Sequence, residues 1–141
     1  MNTTNTIDSF RDAYRFLSNP YFVNVTYNGF TYKSSEYAYQ AAKATNKTDH
    51  DYIVAATSLK ELKRRGRAIK CRTDWNRVRT TIMVEIVYYK FDQNLDLRAR
   101  LKATGDAILI EGNWWGDTYW GVCRGVGKNM LGKILMIVRN A

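Results

Sequence analysis

The chain has 141 residues, 45% of them hydrophobic, with one proline and a formal charge of +9. That composition excludes a disordered chain and is enough to bury a core, and it leaves room for one domain. The longest aliphatic run, Ile134 to Val138, is far too short to cross a bilayer, and Cys71 and Cys123 stand apart with no C-x-x-C spacing. Two isolated thiols and an Asn/Thr-rich start without a signal-peptide core predict a cytoplasmic protein.

Residues 1–8 read as a flexible N-terminus. Tyr21 to Tyr32 reads as a hairpin, because Asn28-Gly29 is a type I′ turn signal set between Phe22, Val23 and Val25 and then Phe30, Thr31 and Tyr32. Ser34 or Ser35 can cap a helix running to about Ala44. Asp49 to Ala56 supports a short helix. Ser58-Leu59-Lys60-Glu61 is a capping box that predicts a helix from Leu59 to about Arg65 or Gly66. Thr73 can cap the longest helix, whose apolar positions Trp75, Val78, Ile82, Ile86 and Tyr89 recur at helical spacing.

Leu95 to Ala103 predicts a further helix, ended by Gly105-Asp106, and Ala107 to Ile110 a short buried strand. The last helix starts near Lys128 or Asn129, with Met130, Leu131, Ile134, Leu135 and Val138 as its core stripe. Gly132 inside it costs about 1 kcal/mol against alanine, which close approach of another element would explain. The reading is α+β: a mainly helical single domain, residues 1–141, around a small sheet.

Charge is uneven. Residues 60–79 hold nine basic side chains and two acidic ones (Glu61 and Asp74), and this segment carries most of the net charge. It is either a solvated helix face or an attractor of phosphates.

The available chemistry is narrow. His50 is the one histidine, between Asp49 and Asp51, and reads as a solvated surface residue. Without a second histidine or clustered cysteines, a serine triad, a cysteine dyad and a metal site all lack support. Gly125-Val126-Gly127-Lys128-Asn129 fails as a P-loop, since Val122 stands where the first glycine belongs and Asn129 replaces the magnesium-binding hydroxyl.

What remains is carboxylate, amide and amine chemistry. Glu36, Gln40 and Lys43 fall at i, i+4 and i+7 on one helix face, with Glu36 and Lys43 about 10 Å apart along the axis. Tyr37 and Tyr39 point elsewhere and pack. Asp117 and Trp120 share a loop. Trp75, Trp114, Trp115 and Trp120 either belong to the core or stack on a flat ring.

These islands, in order, resemble the NADAR (YbiA-like) family from about Phe10 to Arg139. Phe16-Leu17-Ser18-Asn19 resembles its F-x-S-N element. Ser35-Glu36 and Gln40-Ala41-Ala42-Lys43 resemble its S-E-H-x-x-Q-A-x-K helix. Gly66-Arg67 with Asp74-Trp75, and Lys90-Phe91 with Gln93-Asn94, resemble its G-R, D-W and K-F-x-Q-N pieces. Asp117, Trp120-Gly121, Gly127, Asn129 and Leu131-Gly132 resemble its closing signature.

The resemblance implies an N-glycosidase that needs no cofactor and cleaves a base or amine from C1 of a ribose phosphate. Implied substrates are a phosphoribosylamino-pyrimidine of flavin biosynthesis, or ADP-ribose on guanine, free or in DNA or RNA. It further implies that Lys43 forms a Schiff base with C1. On that basis Glu36 is the expected proton shuttle. Asp117 is expected either as a second acid/base or as a holder of ribose hydroxyls. Trp75 or Trp120 would stack on the base, and Asn19 and Asn129 would bond the sugar or phosphate. Arg67, Arg72 and the helix start at Asn129 would hold phosphate. Phe16, Ser18, Gln40 and Gly121 complete the expected binding set. All of this supposes that the groups at 36, 43 and 117 line one cavity walled by an indole.

Two departures from the family pattern stand out. Tyr37 replaces its histidine, and Val122-Cys123-Arg124 is bulkier than its glycine-rich stretch. A nucleophilic Lys43 must also be neutral: burial and Arg67 would lower its pKa, and ionised Glu36 would raise it. The competing reading is a non-catalytic module that binds ADP-ribose or nucleic acid through the basic segment.

Overall fold

Asn28 and Gly29 both adopt positive φ, at 50° and 80°. They close an antiparallel hairpin of β2 (Val25–Tyr27) and β3 (Phe30–Tyr32), in the register Val25↔Tyr32 and Tyr27↔Phe30. Phe22 and Val23 stay outside the ladder. The computed structural model describes residues 5–141, which fall into two compact units. One is Asn19–Gln93; the other joins the segment ending at Ser18 to Asn94–Ala141.

The unit holding the hairpin has four helices: α1 (Ser35–Ala41), α2 (Lys47–Val54), α3 (Leu59–Ala68) and α4 (Trp75–Asp92). Three begin at side-chain caps. Ser34 Oγ accepts from the Tyr37 N–H, Asn46 Oδ1 from Asp49 and Ser58 Oγ from Glu61. The fourth differs from expectation. Asp74, not Thr73, stands at the N-cap of α4 and makes no cap bond, because Arg72 takes its carboxylate.

The buried face of α4 also differs. It carries Ile82, Met83, Ile86, Val87, Lys90 and Phe91, and Tyr89 lies exposed against Tyr27 and Tyr88. A doubled stripe of adjacent pairs four residues apart buries a wider face than the single predicted row. The Gln93 amide both donates to and accepts from the Thr26 backbone at 2.8 Å, so it behaves as a neighbouring strand would.

The other unit contains α5 (Leu95–Ala103), α6 (Met130–Arg139), a 3-10 helix (Asp12–Leu17) and two short parallel ladders. Thr6–Ile7 (β1) pairs with Ile108–Leu109 (β4), so this part of the expected flexible N-terminus is a strand; residues 1–4 lie outside the described residues. Within β4, Leu109 is buried and Ile108 exposed, as strand alternation requires. Gly112–Asn113 (β5) pairs with Val122–Cys123 (β6). The architecture is α+β and mainly helical, with three two-stranded sheets among the described residues in place of one small sheet.

Leu131, Ile134 and Leu135 of α6 are buried, while Met130 and Val138 are only partly so. A Cβ at Gly132 would overlap the Leu109 carbonyl oxygen and the Asn129 amide, which accounts for glycine inside this helix. Gly132→Ala is expected to destabilise the protein by about 1–3 kcal/mol, because backbone of β4 cannot yield as a flexible side chain would. Chemical denaturation measures it, and an unchanged midpoint would contradict the contact.

Candidate functional site

Helix α1 is buried along its whole length, from Ser35 to Ala41. Asn19 holds its first turn. The Asn19 carbonyl accepts from the Glu36 N–H at 3.0 Å, and Asn19 Oδ1 accepts from Ser35 Oγ at 3.0 Å. Its Nδ2 points to Met83 Sδ. Asn19 therefore locks the helix start that presents Glu36.

Glu36 is itself buried, and Gln40 Nε2 donates to its Oε2 at 3.0 Å. The i, i+4 spacing makes this bond possible. Gln40 in turn rests against α3: a Cβ at Gly66 would overlap Gln40 Oε1 and come within 3.6 Å of Lys43 Nζ. Glycine at 66 thus lets α3 close over the amide and the amine. It also lies inside α3, which runs on to Ala68 beyond its predicted end.

Lys43 lies past the end of α1, in a turn where its N–H donates to the Gln40 carbonyl at 3.2 Å. Its ammonium stands 5.9 Å from the ring centres of both Tyr39 and Trp75, and those rings are 5.0 Å apart. Burial pushes the pKa of Lys43 down, and Arg67 pushes it the same way; Glu36 and then Cys71 work against them. Burial outweighs the two raising influences, so the net displacement of the Lys43 pKa is downward. Arg72 is joined to the same turn through its N–H, which donates to the Lys43 carbonyl at 2.9 Å.

Glu36, Gln40, Lys43, Arg67, Arg72 and Trp75 thus gather in one unit. The arrangement is a buried carboxylate, a buried amide and a half-buried amine against an indole. It can exchange a proton and offer a nitrogen lone pair. Tyr37, in place of the family histidine, is buried and its hydroxyl donates to the Ala56 carbonyl at 2.5 Å, which ties α1 to the chain after α2.

The remaining expected site residues lie in the other unit. Phe16 is buried with the Arg100 guanidinium 4.2 Å above its ring, and Ser18 Oγ donates to the Arg15 carbonyl. Asp117 Oδ1 accepts from the backbone N–H groups of Tyr119 and Trp120 at 3.1 and 2.9 Å, so its carboxylate organises its own loop. Asn113 braces that loop by donating to the Asp117 carbonyl at 2.8 Å. Trp120 meets Tyr119 edge to face at 4.8 Å, and Gly121 leaves no room for a Cβ beside Glu111 and Asn113. Trp114 and Trp115 are exposed, against the core reading.

Asn129 takes left-handed backbone at φ 54°. Its Oδ1 accepts from the Glu111 N–H and its Nδ2 donates to the Leu109 carbonyl, both at 2.9 Å. The amide expected to bond substrate instead splices two backbone groups. Asn129→Ala is expected to cost about 1–3 kcal/mol from the orphaned groups, read as a lower denaturation midpoint. Loss of activity at full stability would show the opposite.

The basic segment is partly self-neutralised. Glu61 pairs with Arg64 and Arg65, and Asp74 takes Arg72 in a two-point fork. Three features escaped the sequence reading. The Gln40–Glu36 bond was legible in the i, i+4 spacing. The proximity of Cys71 to Lys43 had no sequence signal. His50 is partly buried, not solvated, with Nε2 2.7 Å from the Tyr32 hydroxyl and its ring edge-on to Phe30. Among the described residues no cluster of His, Cys, Asp and Glu could hold a metal, and no helix is long and apolar enough to cross a membrane.

A family model described as NADAR domain matches residues 5–141. The chain is 33% identical over 142 residues to N-glycosidase YbiA of Escherichia coli, covering 99% of this chain and 86% of that protein. An N-glycosidase of Nostoc punctiforme is 40% identical over 110 residues, 74% of this chain and 70% of that protein. A riboflavin biosynthesis protein of Vibrio vulnificus is 38% identical over 127 residues, 88% of this chain but 34% of that protein. Among solved structures, the NMR structure of the E. coli protein YbiA superposes with a TM-score of 0.85 at 32% identity, over 99% of this chain and 86% of that one.

Proposed function

This chain belongs to the NADAR family, and we propose that, as an N-glycosidase like its named relatives, it cleaves the bond between a base or amine and C1 of a ribose phosphate. The observation that carries the reading is Lys43: an amine with a depressed pKa, near Glu36 and beside two aromatic rings. A relative named for riboflavin biosynthesis favours a phosphoribosylamino-pyrimidine as one substrate. ADP-ribose on guanine, free or in DNA or RNA, presents the same C1–N bond and is the other. The names of the relatives support turnover over a purely binding module. Two free thiols, Cys71 and Cys123, fit a reducing compartment such as the cytosol.

In the proposed chemistry the ring C1–O bond breaks, the ring oxygen takes a proton from solvent, and C1 is left doubly bonded to the nitrogen of the departing base as a protonated imine. The neutral Lys43 amine adds to C1. A proton passes from the lysine nitrogen to the base nitrogen through Glu36. The C1–N bond to the base then breaks and the base leaves as a neutral amine. Water hydrolyses the lysine–C1 imine and restores the amine. Gln40, bonded to Glu36 Oε2, keeps that carboxylate oriented for the transfer.

Borohydride trapping tests this. Incubation with ADP-ribosylated guanosine followed by reduction is expected to leave one covalent adduct, mapped to Lys43 by peptide mass spectrometry. Turnover without an adduct would replace the imine with direct attack by water. Absence of turnover on every ribosylated base, the pyrimidine intermediate included, would remove the glycosidase reading itself.

A further inference from the structure

Beside the proposed chemical site, the same unit contains a cavity of about 610 Å³ between the hairpin, the end of α1 and the start of α2. Its size lies within the range of small-molecule sites. Lys43 is not among its lining residues, since its amine lies against Tyr39 and Trp75. The proposed reaction places none of its bond-making steps in this space, and Arg72 is the residue of the chemical site that also lines it.

We infer that this cavity is a second binding site, for a planar heteroaromatic ring whose edge carries hydrogen-bond acceptors, as a purine does. One wall is made of rings: Phe30 stands 4.7 Å from Tyr32 and edge-on to His50 at 4.8 Å. Ala41 and Ala42 also line the cavity, and their side chains are small. A cavity that combines aromatic rings with small apolar side chains suits stacking of a ring.

The polar groups favour an uncharged ring with acceptor atoms. The Tyr32 hydroxyl lies 2.7 Å from His50 Nε2, and His50 Nδ1 faces Asp51 Oδ1 at 3.4 Å, so both ring nitrogens already have protein neighbours. The Arg72 fork on Asp74 uses Nε and Nη2 and leaves Nη1 outside it. Lys47 is paired with Asp51 at 2.6 Å. With both cations of the lining already balanced by carboxylates, a bare phosphate gains little there. A ring edge with acceptors would gain from the arginine donor.

This inference stands apart from the glycosidase reading. The chain has one histidine, so a single imidazole signal reports the cavity. Adenosine and guanosine, titrated into labelled protein, are expected to shift the His50 ring signals saturably; inorganic phosphate is not. Phe30→Ala removes a partly exposed ring and is expected to weaken binding about tenfold, the loss of one base–aromatic stack. Ala42→Leu, which fills the slot, is expected to abolish it. Lys43→Ala should leave it unchanged. The inference fails if no nucleoside shifts His50, if phosphate produces the same shift, or if Phe30→Ala binds as the wild type does. It also fails if Lys43→Ala removes binding, since the ring would then belong to the chemical site.

Discussion

Lys43→Ala is expected to lower kcat by about a thousandfold or more, because removal of the proposed covalent nucleophile leaves only binding and positioning. The fold should survive. The substitution deletes a half-buried amine whose charged form burial already disfavours, so the denaturation midpoint should hold or rise. Turnover at the wild-type rate would rule Lys43 out as nucleophile. The pH profile sharpens the test. Only the neutral amine attacks, so the rate should rise with pH as Lys43 loses its proton and level off below the ordinary lysine value of about 10.4. The neighbours then predict opposite displacements. Arg67 depresses the lysine pKa, so Arg67→Gln should move the rising limb to higher pH. Glu36 raises it, so Glu36→Gln should move the limb to lower pH even as the loss of the proton shuttle slows the reaction. Limbs that stay fixed in both variants would mean that another group titrates.

Lys90→Met is expected to stabilise the protein at pH 6 by a few kcal/mol, and the gain should shrink toward pH 10. Lys90 is 1% exposed in the middle of the buried face of α4, with its ammonium 5.8 Å from the ring centre of Tyr21 and 5.3 Å from that of Phe91. Burial lowers its pKa to about 7. Below that pH the lysine is charged in both folded and unfolded chains, and burial of the charge destabilises the fold most. Between pH 7 and the unfolded value of about 10.4, the unfolded chain binds a proton that the folded chain lacks, so stability rises with pH across that window. Methionine matches the length of the side chain and does not titrate. Urea denaturation of both proteins at pH 6, 8 and 9.5 should show a rising curve for the wild type and a flatter, higher one for the variant. Curves that run parallel would mean that Lys90 does not carry the pH dependence.

Both predictions join residues that were legible to different degrees. Lys43 was visible as a candidate from its spacing to Glu36 and Gln40. Lys90 was visible only as part of a family motif, since a lysine in an apolar row normally marks the solvent side. The doubled stripe of α4 fixes its depth, and single-row spacing did not reveal it.

Local chemistry was readable because its causes lie within a few residues. Asn28-Gly29 closed the hairpin through left-handed backbone, and Ser34 and Ser58 capped their helices. Gly132 announced a close approach, because nothing else justifies a glycine inside a helix. Long-range balances were not readable. Arg72 took the carboxylate that would have competed for the cap of α4, and Asn129 turned its amide to Leu109 and Glu111. Asp117 turned its own inward to the loop. That the Lys43 pKa falls depended on how deeply the surrounding elements bury it. Spacing along a helix sets which side chains share a face; only the packing of other elements against that face sets how much water remains, and desolvation decides the charge.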